Sequence, residues 1–190
     1  MKNDQPMRKV GLVTFNNEVQ IIGDGTQDPD IIRGDKLTNY QFLQDNAKSK
    51  FSTYLNKSVS TTSERLNQKL YQLEETGPTA LGPGLLTAVS LAAEGGFGSQ
   101  VVICTDGLAN IGIGSLEEKK LNAEGECEVE QFYKQVALFA KSKGVTVSII
   151  TIKGGEQADL ETLSHVYWET GGNVSVVEPE ELTKNFKNIF

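Results

Sequence analysis

The feature that most restricts the fold is an alternation in the second half of the chain. Val101-Val102-Ile103-Cys104 and Val145–Ile152 (VTVSIITI) are short β-branched runs, the composition of strands buried on both faces of a sheet. Between them, Glu130–Lys143 places Phe132, Val136, Phe139 and Ala140 on one helical face, and Gly144 stops the helix. The pattern then repeats. Ala158–Thr170 predicts a helix through Leu160, Leu163 and Tyr167, Asn173–Val177 a last strand, and Glu180–Phe190 a terminal helix with Leu182, Phe186 and Ile189 inward. Such a succession requires right-handed parallel crossovers, and hence an α/β domain.

The first half adds an antiparallel element. In KVGLVTFNNEVQII, Val10–Phe15 and Val19–Ile22 predict two strands joined at Asn16-Asn17, with Gly23-Asp24-Gly25 ending the second. Thr26–Asn39 reads as loop with a short edge strand around Ile31-Ile32. Its carboxylates, Asp24, Asp28, Asp30 and Asp35, lack the register of a calcium loop and read as a solvated stretch. Tyr40–Lys48 and Phe51–Leu55 predict helix with Phe42, Leu43 and Phe51 inward. Thr61 or Thr62 is the expected N-cap of a helix carrying Leu66, Leu70 and Leu73 on one face. The loop GPTALGPG, Gly77–Gly84, precedes a helix from Leu85 to about Glu94. Residues 1–190 are expected to form a single domain. Its fold class is a Rossmann-like three-layer α/β/α sandwich, a mostly parallel sheet with an antiparallel hairpin edge strand.

Composition narrows the partners. The chain has 18 basic and 25 acidic residues, a net charge of −7, and no basic cluster that could follow a phosphate backbone. Nucleic acid is therefore not an expected partner. No apolar run approaches the roughly 20 residues of a membrane helix, and MKNDQPMRK lacks the apolar segment of a signal peptide. Cys104 in a strand and Cys127 in an acidic stretch have neither disulfide-framework nor zinc spacing. A cytoplasmic protein without a membrane contact is the expectation. His165 is the only histidine and reads as a helix surface residue, while Tyr167 and Trp168 read as packing.

One place on the chain could carry chemistry. The Val101 strand ends at Thr105-Asp106-Gly107, so a carboxylate emerges at the carboxyl end of a strand, where open α/β sheets bind ligands. The following Leu108–Gly114 is too rich in glycine for a helix and forms a loop beside Asp106. Enzyme signatures fare poorly. GPTALGPG lacks the Gly-Lys-Ser/Thr ending of a phosphate loop, and Cys104 stands where a dehalogenase-type phosphatase needs its nucleophilic aspartate. No Gly-x-Ser-x-Gly elbow is present, and no Gly-x-Gly-x-x-Gly follows a first strand.

The hairpin VGLVTFNNEVQII, the loop GPTALGPG opening a helix, and VVICTDG with its glycine-rich tail together resemble a von Willebrand factor A domain, from about Lys9 to Phe190. The wording is most similar to intracellular members such as those of circularly permuted Ras-like proteins, and less so to COPII coat trunk domains. The resemblance implies a non-catalytic protein–protein interaction module with a metal-ion-dependent adhesion site above the sheet. Thr79 matches the family's threonine ligand and Asp106 its aspartate ligand. Mg²⁺, or Mn²⁺ or Ca²⁺, would be held by hydroxyl, carboxylate and water oxygens, leaving a position for a partner's acidic side chain. Asn110 and Gly112 would line the partner-binding loop.

The resemblance is incomplete. The family's Asp-x-Ser-x-Ser ligand motif is absent, and only eight residues precede Lys9. The expectation is an amino-terminally truncated domain with a partial metal site of weak or no occupancy. The strand it would lack is central, between the hairpin strand and the Val101 strand. Two rescues are predicted: direct pairing of those two strands, or pairing supplied by another chain through a homodimer or a domain swap. A reading from another class, a metal-assisted hydrolase or nucleotide-binding domain using Asp106, stands as the alternative.

Overall fold

Three short strands open the structure, a computed structural model that describes residues 5–73, 77–105, 109–117, 127–152 and 160–178. Strands β1 (Leu12–Phe15), β2 (Val19–Gly23) and β3 (Asp30–Ile32) form an antiparallel sheet in that order. The turn between β1 and β2 is closed by Asn16, whose side-chain oxygen accepts from the Glu18 amide at 3.1 Å. Asp24, expected in solvated loop, is instead fully buried. Its carboxylate accepts from the amide and hydroxyl of Thr26 at 3.0 and 2.6 Å and from the Lys57 amide at 3.0 Å. A carboxylate with three donors can leave water at the end of a strand. Asp30 is likewise occupied, accepting from Lys50 and Asn46 of the next helix.

That helix, α1 (Tyr40–Tyr54), runs unbroken through both stretches expected to be helical and is capped by Asn39, which accepts from the Phe42 amide at 2.9 Å. Helix α2 (Val59–Tyr71) begins at Ser58, ahead of the predicted Thr61 or Thr62 cap. Its leucine stripe is inward only in part: Leu66 is half-buried, Leu70 is 53% exposed, and Leu73, 44% exposed, lies past the end of the helix. The helical period was right, but the described residues cover that face only at its Leu66 end.

Helix α3 (Leu81–Ala93) starts inside the stretch expected to be loop. Gly82-Pro83-Gly84 would discourage a helix on propensity alone. Proline is tolerated in a first turn, and close packing explains the glycines. A Cβ on Gly82 would stand 2.0 Å from the Ile113 carbonyl oxygen, and one on Gly84 2.8 Å from the Phe15 side chain. Tertiary contact overrides propensity here. The reward is a helix buried on nearly every side, with Leu81, Leu85, Leu86 and Val89 each contributing about 1.5–3 kcal/mol.

The second half follows the predicted alternation. Strands β4 (Gln100–Thr105), β5 (Thr146–Ile152) and β6 (Val174–Val177) form a parallel sheet, joined by α4 (Glu128–Ser142) and α5 (Leu160–Thr170). The helix expected at Glu180–Phe190 lies outside the described residues. Helices α1, α3, α4 and α5 share one apolar core with both sheets. Two packing expectations need correction. Cys104 is exposed and Val102 half-buried, so β4 is not enclosed on both faces. Trp168, expected in packing, is 74% exposed, because it turns away from the core that takes Leu163 and Val166.

The α/β class and the Rossmann-like layering are as expected. The single sheet is not: the described strands form two three-stranded sheets, and β1 does not pair with β4. Direct pairing, one of the two predicted rescues, is thereby excluded.

Candidate functional site

Three loops converge where β1 and β4 end. At the end of β1 the Asn16 carbonyl accepts from the Ala80 amide at 2.8 Å, tying the hairpin turn to the start of α3. One residue earlier, the Thr79 amide donates to Asn110 Oδ1. In return the Thr79 carbonyl accepts from the Asn110 amide at 3.0 Å. Two residues 31 apart in sequence are thus clasped in both directions. Both were singled out from sequence, and the structure brings them together.

The rest of the Asn110 loop is laid on the domain rather than held out from it. Ile113 donates its amide to the Leu37 carbonyl at 3.0 Å, and Leu116 closes the loop on Ala109 at 2.7 Å. Gly112 has φ of 79°. A Cβ there would meet Pro83 Cγ at 2.5 Å and the Leu37 carbonyl oxygen at 3.0 Å, so the residue is restricted by conformation and by space. Tyr133 seals the loop from below, its hydroxyl donating to the Gly114 carbonyl at 3.0 Å. Sequence reasoning did not find Asn16 or Leu37 as members of this rim. Both act through backbone carbonyls, which leave no residue-type signal.

Asp106 lies outside the described residues. Those that are described supply few metal donors. The Thr79 amide and carbonyl and Asn110 Oδ1 are spent on one another, and no group of three His, Cys, Asp or Glu side chains able to hold a metal ion occurs among the described residues. A hard cation such as Mg²⁺ takes its ligands from carboxylates, carbonyls and water. The described donor set does not make such a site.

Cys104, next to the rim on β4, is an exposed residue, yet desolvation by the protein around its thiol pushes it up to about 11. It is a thiol rather than a thiolate at neutral pH, which disfavours nucleophilic chemistry there. No described helix is long and apolar enough to cross a membrane.

The Sec23/Sec24 trunk domain family profile matches residues 2–188. Over 186 residues the chain is 34% identical to the circularly permutated Ras protein 1 of Dictyostelium discoideum, covering 97% of this chain and 21% of that protein. Among solved structures it is similar to the human COPII-coat protein Sec24c, with a TM-score of 0.60 and 18% identity, over 95% of this chain and 25% of the other. It is also similar to a von Willebrand factor type A protein from Catenulispora acidiphila, with a TM-score of 0.56 and 14% identity, over 95% of this chain and 32% of the other. The chain therefore spans only about a fifth of the length of the Dictyostelium protein. At these identities the two solved structures speak for the fold, and the profile for the family. With an α/β fold of von Willebrand A type and a profile match along nearly its whole length, this chain belongs to the Sec23/Sec24 trunk domain family.

Proposed function

We propose that this chain is a non-catalytic protein–protein interaction module acting in the cytosol, whose partner docks on the rim formed by Thr79, Asn110 and Gly112 and engages Asp106, the residue that follows β4 in the chain. The observation that carries the reading is the two-way clasp between Thr79 and Asn110. It fixes two separate loops as one surface at the carboxyl end of β4, the place where open α/β sheets bind. A surface held by these bonds and by a glycine whose left-handed backbone and close neighbours fix the loop is pre-organised, so little ordering entropy is lost on docking.

Recognition is assigned to the loop surface and the Asp106 carboxylate, and no step is routed through a cation. The Asp106→Ala and Asn110→Ala variants test it, with folding checked by circular dichroism. Both should retain the fold, and both should lose the same set of proteins that the unaltered chain captures from cytosolic extract. Identical capture by all three would overturn the assignment of the rim. Calorimetric titration with MgCl₂ alone, and then with ATP and GTP, separates this module from a metal-assisted or nucleotide-binding domain. Nucleotide binding at micromolar concentration would overturn the non-catalytic reading.

A further inference from the structure

The turn after β2 rests against α2, and a groove of about 300 Å³ opens between them. A Cβ on Gly25 would lie 3.5 Å from the main chain of Arg65 and Leu66, so turn and helix touch at that point. Asp24 fastens the same junction. Its buried carboxylate accepts from the Thr26 amide in the turn and from the Lys57 amide just ahead of α2, both at 3.0 Å. The start of α2 is held as well by the preceding chain, since the amides of Val59 and Ser60 donate to the carbonyls of Arg8 and Pro6. Both walls of the groove are therefore fixed in advance of any ligand.

The lining is polar throughout: Gly25 on the turn, and Arg65, Gln68, Lys69 and Gln72 along α2 and its C-cap. The spacing of those four is that of one helical face, about 10 Å from end to end. Arg65, Gln68 and Gln72 are exposed and Lys69 is half-buried. Among the described residues neither Arg65 nor Lys69 has a side-chain partner, whereas Arg33, Lys50 and Lys141 each meet a carboxylate. In a chain of net charge −7, two cations left unmatched in one cleft call for an anion from outside.

We propose that this groove binds a phosphorylated serine or threonine carried by a segment of a partner protein. The charges match. A phosphate monoester carries about −1.5 to −2 at neutral pH, which one arginine and one lysine neutralise. Its three oxygens suit the guanidinium fork, the ammonium and the carboxamides of Gln68 and Gln72 as donors. A carboxylate brings a single charge and would leave one cation unmatched. A membrane surface fits poorly, because headgroup binding draws on clusters of about 4–8 basic residues, and here Glu64 stands beside a pair in an acidic chain. A small phosphorylated metabolite would find no apolar side chain in the lining to hold its remainder. A polypeptide needs none there, since Leu70 and Tyr71 follow Lys69 on α2 and are exposed to its flanking residues. No lining residue belongs to the Thr79 and Asn110 rim, so either assignment can fail without the other.

Nuclear magnetic resonance titration of the 190-residue chain tests the proposal. The probe is a short peptide library, degenerate except for a central phosphoserine or phosphothreonine, and half of it is first treated with phosphatase. The phosphorylated half should shift the amides of Gly25, Arg65, Gln68, Lys69 and Gln72, and the treated half should not. The double variant Arg65→Gln with Lys69→Gln should keep the far-ultraviolet dichroism of the unaltered chain, neither side chain having a described partner to lose. It should bind the phosphorylated library about tenfold more weakly or worse, as loss of charge-assisted bonds implies. Equal shifts from both halves, shifts confined to other residues, or no shifts at all would overturn the proposal. So would equally tight binding of a library with glutamate at its centre, which would make the groove a site for acidic peptides. Vesicles of phosphatidylcholine and phosphatidylserine that bind the unaltered chain, release it in the double variant and compete with the library would assign the groove to lipid headgroups and overturn it too.

Discussion

Strands β5 and β2 hold equivalent places, each the middle strand of a three-stranded sheet, yet they are fixed by different interactions. Around β5 the contacts are aliphatic: Val147 and Ile149 are fully buried against a core that includes Val136, Leu163 and Val166 of α4 and α5. Around β2 the apolar residues Val19 and Ile21 are equally buried, but carboxylates mark both ends of the strand and its neighbour. Glu18 at its start pairs with Arg33, Asp24 past its end binds Thr26 and Lys57, and Asp30 of β3 binds Lys50 and Asn46. The difference follows from topology. Parallel crossovers cover β5 with helices, whereas the strands of a tight antiparallel meander bring their ends to the surface within a few residues. Polar clasps rather than area fix the hairpin half.

Removing aliphatic volume from β5 should have the largest effect. Ile149→Ala deletes buried methylenes where neighbours on both sides are packed, and should cost about 3–4 kcal/mol in urea denaturation. The matching test in the hairpin half is Asp24→Ala, which strands the buried amides of Thr26 and Lys57. A loss of about 2–3 kcal/mol is expected, with far-ultraviolet dichroism unchanged. If Asp24→Ala proves harmless, the hairpin half is held by its apolar residues after all, and the contrast disappears.

The same contrast explains what could be foreseen from the sequence. The parallel half was legible because Val101–Cys104, Val145–Ile152 and the Glu130–Lys143 helix carry their positions in their periodicity. The burial of Asp24 was not, because its partners are backbone amides that no residue type announces. Nor was the early start of α3, where Gly82 and Gly84 read locally as helix breakers and only the nearness of Ile113 and Phe15 shows their purpose. In α2 the period was clear but the partner surface was not, and Leu70 points outward. At the rim, Thr79 and Asn110 were found from their motifs, while Asn16 and Leu37 act through carbonyls.

Gly112→Ala probes the junction between the halves, since the rim loop joins β4 to the Leu37 segment beside the hairpin sheet. A methyl there faces a positive φ and two close neighbours, and the left-handed conformation alone costs about 1–2 kcal/mol. The expected loss of stability is of that size or a little above. Because the loop must shift to admit the methyl, docking at the rim should weaken more than the fold does. Denaturation and partner capture, measured on one preparation, separate the two effects.

The smallest effect is the most diagnostic, because acid should act mainly on the hairpin half. In the other half Glu169, whose carboxyl is also lowered, pairs with Lys141 on the exposed surface, where the pair contributes little. Arg33, with help from Gln20, holds the Glu18 carboxyl below its ordinary value. Burial works against the charge of Asp30, but Lys50 and Asn46 more than offset it, and its value too is lowered. In both cases the folded state holds its protons less tightly than the unfolded chain. The stabilisation is complete above the unfolded values of about 4 and is lost as pH falls through the lowered folded values. Stability should therefore decline with acid more steeply in the unaltered chain than in a double variant, Arg33→Met with Lys50→Met. Arg33 is exposed while Lys50 and Asp30 are mostly covered, so 0.5 M NaCl should screen the Glu18 contribution first. Exchange from amides of β2 should show this acid dependence, and exchange from amides of β5, enclosed by aliphatic side chains, should not. An equal acid response in both strands would mean that the halves unfold as one unit and that the clasps stabilise the whole domain rather than the hairpin.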